Sequence, residues 1–223
     1  MSDLVRSKQP FHFFTRLHLT ELTGLKASNL TQLVEIMRDI PGSSIYHHTH
    51  RFLQMHQYLS PEPPNDFSYW VSGILNENVL GEKLASIDTV QFSTIRSLRE
   101  KIVETIEKYL KNNPSAKLKF AGDGAEFYFI KSMSFVIPTS YRAHDLKEFA
   151  EILNRVTVGS IYYHIFESRL RLEKKTNDFS SWFEDSLGDK VLAGKIAKLD
   201  PYTYTLEELR SVIIKIIEAR ISS

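Results

Sequence analysis

Asn65-Asp66-Phe67-Ser68-Tyr69-Trp70 recurs as Asn177-Asp178-Phe179-Ser180-Ser181-Trp182, and the two stretches contain both tryptophans of the chain. Upstream, Ser44-Ile45-Tyr46-His47-His48 recurs as Ser160-Ile161-Tyr162-Tyr163-His164. Phe11-His12-Phe13 recurs as Phe127-Tyr128-Phe129 at the same offset of 116 residues that relates Ser44 to Ser160. The offset falls to 112 between Asp66 and Asp178, which leaves the first copy four residues longer near Pro61-Glu62-Pro63-Pro64. Lys83 with Lys195, Asp88 with Asp200, and Leu98-Arg99 with Leu209-Arg210 carry the match to the end. Agreement in order over most of each half is the mark of a tandem duplication.

Periodicity gives each copy its elements. Leu30, Leu33, Val34 and Met37 fall at helical spacing behind Ser28 or Asn29 as cap, answered by Leu146, Phe149, Ala150 and Leu153. A second helix follows Pro41-Gly42, a third starts at Asn65, a fourth covers 79–87, and the last covers 93–110, mirrored by 205–221. Phe11-His12-Phe13-Phe14 and Phe127-Tyr128-Phe129-Ile130 read as short strands. Lys117 to Phe120, with Gly122-Asp123-Gly124, reads as the other arm of a hairpin. The expected fold is mainly α. Two tandem homologous repeats of about five helices each, residues 1–113 and 114–223, pack pseudo-symmetrically, with a minor β-hairpin and short strands.

Composition narrows the function classes. The chain has 223 residues, 42 % hydrophobic and 25 % charged, with a net charge of +1. Such balance argues against a nucleic-acid partner. The absence of cysteine removes disulfides, thiolate metal sites and thiol nucleophiles. Neither a signal peptide nor a run of ~20 apolar residues is visible, so a cytoplasmic protein without a membrane partner is expected.

The repeats single out a candidate ligand site. His48 and His164 sit at matching points of the two helices that follow Ser44 and Ser160, with Asp66 and Asp178 one motif downstream. Each histidine either bonds a backbone carbonyl and packs, or pairs with an aspartate and lines a cleft at the repeat interface. Asn65 and Asn177 read as helix caps, Asp66 and Asp178 as first-turn acids, and both tryptophans as core anchors or, together with the aspartates, as a surface on which a sugar stacks. Arg169 and Arg171 are suited to bind phosphate or carboxylate. Arg99 and Arg210 are expected to pair with acidic side chains. His47 and His50, three apart, are weak metal candidates. The second copy has Tyr163 and Phe166 in their places, and no Glu-x-x-His or HExxH motif completes a site. No cofactor is expected.

The series from Ser44 through Phe52 with Asn65-Asp66-Phe67 and Trp70, and its second-half counterpart through Asp200-Pro201-Tyr202, resembles an uncharacterised prokaryotic family, a domain of unknown function. The resemblance implies a genomic setting beside glycosyltransferases and enzymes of trehalose or glycogen metabolism. The expected function is therefore a non-catalytic ligand-binding or regulatory adaptor protein. Its partner would be a sugar phosphate or a glycosyltransferase, and a homo-oligomer is compatible with it. The alternative is a metal-dependent enzyme built on the His/Asp groups.

Overall fold

The computed structural model describes residues 5–51, 65–168, 176–199 and 203–222. Strand β1 (Phe11–Ala27) is followed by helices α1 (Leu30–Asp39) and α2 (Gly42–Tyr46), the latter running into a π-helical turn, His47–Arg51. Helices α3 (Asp66–Gly73), α4 (Asn78–Ala85) and α5 (Ile95–Asn112) complete the first half. Strand β2 (Phe127–Ala143) then precedes α6 (Leu146–Leu153) and α7 (Val158–Tyr162), with a second π-helical turn at Tyr163–Glu167. Helices α8 (Asp178–Asp185), α9 (Lys190–Ala197) and α10 (Leu206–Ile221) close the chain. No helix among the described residues is long and apolar enough to cross a membrane.

The strands overturn the expected fold class. Each is 17 residues long, and they pair with each other in one two-stranded antiparallel sheet. The Thr23 hydroxyl donates to the Phe129 carbonyl (2.7 Å), Lys131 pairs with Glu21 (3.0 Å), and Thr139 donates to Phe13 (2.7 Å). Residue pairs thus move down one strand as they move up the other. The expected hairpin arm does not exist: Pro114–Leu118 is a 3₁₀ turn. A minor hairpin with short strands, in two helical repeats packed pseudo-symmetrically, is replaced by helices set on a long antiparallel ribbon. The reason is physical. Only the strand ends alternate buried with exposed, and from Leu17 to Lys26 nearly every side chain is exposed or half-buried. The in-and-out signature that betrays a strand is therefore missing from its middle.

The chain forms two compact units, and the strands cross from one to the other. Of the described residues, those from His18 to Met133 form the α1–α5 unit, and those up to Leu17 and from Ser134 onward form the α6–α10 unit. In the α1–α5 unit, Leu30, Leu33 and Met37 of α1 pack with Phe67, Trp70, Leu98 and Ile106, and Phe127 and Phe129 of β2 close this core. In the α6–α10 unit, Phe149, Leu153, Phe179, Phe183, Leu209 and Ile213 form the core, closed by Phe11 and Phe13 of β1. Thus β1 buries its aromatic end among α6–α10, and β2 buries its own among α1–α5. Phe13 and Phe129 are 0 % and 1 % exposed, and burying a phenylalanine is worth about 2–3 kcal/mol.

Helix ends are satisfied locally. Asn29, Asn65, Asp145 and Asn177 each accept an amide of the first turn at 2.9 Å, and Thr205 with Glu208 forms a capping box. Arg99 departs from the expected acidic pairing, whereas Arg210 meets it and adds carbonyl partners. Arg99 donates to the carbonyls of Arg38 and Ile40, and Arg210 to those of Leu153 and Val156. Each guanidinium closes the C-terminal end of a helix, where carbonyls lack partners and positive charge is favoured. Arg210 adds an ion pair to Glu207 at 2.8 Å.

Candidate functional site

Ser44 and His48 stand one turn apart, so both face Ile130 of β2. The Ser44 hydroxyl donates to the Ile130 carbonyl (2.8 Å), and the Ile130 amide donates to His48 Nε2 (3.0 Å). A two-stranded ribbon leaves the outer edge of each strand unpaired, and buried backbone groups without partners are costly. This serine–histidine pair supplies the donor and acceptor that a third strand would have offered.

The other imidazole nitrogen is also committed. Because Nε2 accepts, the proton sits on Nδ1, which donates to Asp66 Oδ2 at 2.7 Å. Asp66 is the first residue of α3, held there by the Asn65 cap. His48 is 3 % exposed, packed against Phe67 and Phe127. The clamp therefore ties three elements together: the π turn, β2 and the start of α3.

The α6–α10 unit contains the same clamp on β1. The Phe14 amide donates to His164 Nε2 (2.9 Å), and His164 Nδ1 donates to Asp178 Oδ2 (2.7 Å). The Ser160 hydroxyl is buried and has no hydrogen-bond partner among the described residues. The tryptophans extend the grip. Trp70 Nε1 donates to the Ala125 carbonyl and Trp182 Nε1 to the Gln9 carbonyl, both at 2.8 Å, just before each strand begins.

The remaining candidates are placed as follows. His47 Nδ1 lies 2.9 Å from Ser132 Oγ. His50 is buried, its Nδ1 2.9 Å from Thr49 Oγ1, and it stacks on Tyr46 at 5.3 Å. Arg169 and Arg171 lie outside the described residues. Donor atoms of His47, His48 and Asp66 come within 4.8 Å of one another. A metal ion does not fit this trio. It would need the Nδ1 lone pair of His48, so the proton would move to Nε2 and point at the Ile130 N–H, donor against donor. Sequence reasoning missed Arg16, which pairs with the buried Glu167 in the second π turn. The available signal was a lone acid directly after the largely aromatic and aliphatic stretch Ile161 to Phe166.

Burial pushes the His50 imidazole down to about 4, from 6.5. Between those values the unfolded chain binds a proton that the folded chain refuses. Stability is therefore complete above pH 6.5 and falls as pH drops toward 4, by about 3 kcal/mol in all. Phe166 occupies the matching place in the second copy and stacks on Tyr162 at 5.0 Å. His50→Phe should remove this component, read as the difference between the two proteins in urea midpoints at pH 7 and pH 4.5. Parallel pH dependence in both would reject it.

The fold and these contacts define a class: a helical protein with one long two-stranded sheet, in which each unit holds a strand segment through a histidine–aspartate pair. The chain belongs to a family of unknown function, DUF5752, whose model matches residues 8–218. It is similar to OrfY from Thermoproteus tenax, a solved structure with 28 % sequence identity and a TM-score of 0.82. That similarity covers 99 % of this chain and 100 % of OrfY. No curated protein matches the chain.

Proposed function

We propose that this chain is a non-catalytic binding protein, an adaptor or regulator in carbohydrate metabolism of the trehalose or glycogen type. It holds a small ligand or docks a glycosyltransferase. The observation that carries the reading is the commitment of both ring nitrogens of His48 and of His164 to strand and aspartate. An imidazole with no free nitrogen neither relays protons nor ligates metal without breaking the strand clamp. Docking is supported by exposed apolar side chains on the strands. Leu17, Phe135, Val136 and Ile137 of the α6–α10 unit are 44–51 % exposed. The carbohydrate setting rests on the family resemblance of the repeated motifs.

The test is a melting series of the full chain with sugars, sugar phosphates and nucleotides. It is run beside a binding measurement against a purified trehalose-synthesising glycosyltransferase. A ligand at 100 times its Kd should stabilise the fold by about 2.7 kcal/mol. A flat series together with no complex would reject the proposal. The metal-dependent alternative would have to use the His47–His48–Asp66 cluster against the tautomer that the strand amide fixes, and it is tested by metal analysis of untagged protein. Stoichiometric metal that displaces the Asp66 contact would favour it.

A further inference from the structure

Outside the clamps, the α1–α5 unit has an open groove of about 430 Å³ between the last turn of α4, the turn that follows it, and the middle of α5. Lys83 and Lys101 line it, with Ile87 and Phe92 as apolar surface and Asp88 and Gln91 beside them. Lys83 Nζ lies 5.6 Å from the centroid of the Tyr109 ring, which steadies the ammonium. The hydroxyls of Ser86 and Thr105, also in the lining, donate to the carbonyls of Lys83 and Lys101, so towards a ligand they act as acceptors.

The second copy keeps part of this chemistry, since Lys195 and Asp200 answer Lys83 and Asp88. Val212 and Ile216 stand where Lys101 and Thr105 stand, by the offset that relates Leu98-Arg99 to Leu209-Arg210. There Leu199, Tyr204 and Ile216 pack on the core. Ile87 and Phe92 pack on the core of the α1–α5 unit as well, so the two units differ here at Lys101 and Thr105.

We infer that the groove binds a phosphate monoester of a sugar-sized polyol, an assignment that rests on the binding-protein reading above. Two ammonium groups match the charge of about −1.5 to −2 that a phosphate monoester carries at pH 7. Asp88 and the hydroxyl oxygens of Ser86 and Thr105 accept from ligand hydroxyls, and Ile87 and Phe92 face the carbon skeleton. The volume lies in the range of small-ligand sites, ~300–1,000 Å³. Bare phosphate has no carbon skeleton for Ile87 and Phe92 to face and no polyol hydroxyls, and a neutral sugar would leave both lysines unmatched.

Calorimetric titration of the full chain with glucose 6-phosphate, glucose and inorganic phosphate tests this. Glucose 6-phosphate is expected to bind at least about tenfold more tightly than either of the others. Lys101→Val, which installs the residue of the second copy, and Lys83→Gln should each weaken it about tenfold while leaving the melting temperature within about 2 °C. Equal binding of inorganic phosphate, or unchanged glucose 6-phosphate binding in both variants, overturns the groove assignment and leaves the binding-protein reading standing. No glucose 6-phosphate binding to the parent chain overturns it as well, whereas the broader reading falls only if the full ligand series and the glycosyltransferase also fail.

Discussion

Residues 114–223 expressed alone are expected to show no cooperative unfolding transition, and to gain one when a peptide of residues 5–27 is added. The helices α6 to α10 lie in this fragment, yet their core is closed by Phe11 and Phe13 of β1. Phe11 alone makes edge-on contacts with Phe149, Phe179 and Trp182 at 5.3–5.6 Å. Removing two buried phenylalanines forfeits about 5 kcal/mol of apolar burial. His164 then loses the Phe14 amide, and the Trp182 indole loses the Gln9 carbonyl. Each buried polar group left without a partner costs about 1–3 kcal/mol. Against a total stability of about 5–15 kcal/mol, the fragment has little left. Circular dichroism and urea titration read the outcome directly. A fragment that melts cooperatively without the peptide would show that β1 is not an integral part of this core.

The same strand exchange explains which features were legible in the sequence. Caps and amphipathic faces are local, so Asn29, Asn65, Asn177 and Thr205 could be read as helix starts. Phe127 and Phe129 reveal a strand end, but nothing near them says which half receives it. That decision lies in contacts such as Ile130 with His48, 82 residues apart, where loop closure and core shape decide the pairing. The strand length was hidden for another reason: apolar residues such as Leu19, Leu22 and Leu25 remain exposed, so their spacing encodes no buried face. Arg99 misled because a carbonyl partner leaves no trace in sequence, whereas an acidic one, such as the Glu207 that pairs with Arg210, does. The pairing of His48 with Asp66 was open among several readings. The strand amide on its other nitrogen, which fixes the tautomer, is a tertiary contact that no spacing predicts.

Trp182→Ala is expected to cost about 3–5 kcal/mol, and Trp182→Phe about 1 kcal/mol. The indole is 7 % exposed, stacked on Phe149 at 5.3 Å and set against Phe183 at 5.6 Å. Truncation to alanine removes these ring contacts, opens a cavity and strips the Gln9 carbonyl of its donor. Phenylalanine keeps most of the ring and loses only that donor, so the difference between the variants separates packing from the hydrogen bond. Trp70, 5 % exposed and donating to Ala125, should behave alike in its own unit. A tryptophan that stacks on a sugar would instead be solvent-facing, and its loss would abolish binding with little change in stability. At this degree of burial no ligand reaches either ring, so the melting temperature should fall in both alanine variants. If Trp182→Ala and Trp70→Ala melt with the parent, neither indole anchors the chain ahead of its strand, and the clamp reduces to the histidine and aspartate alone.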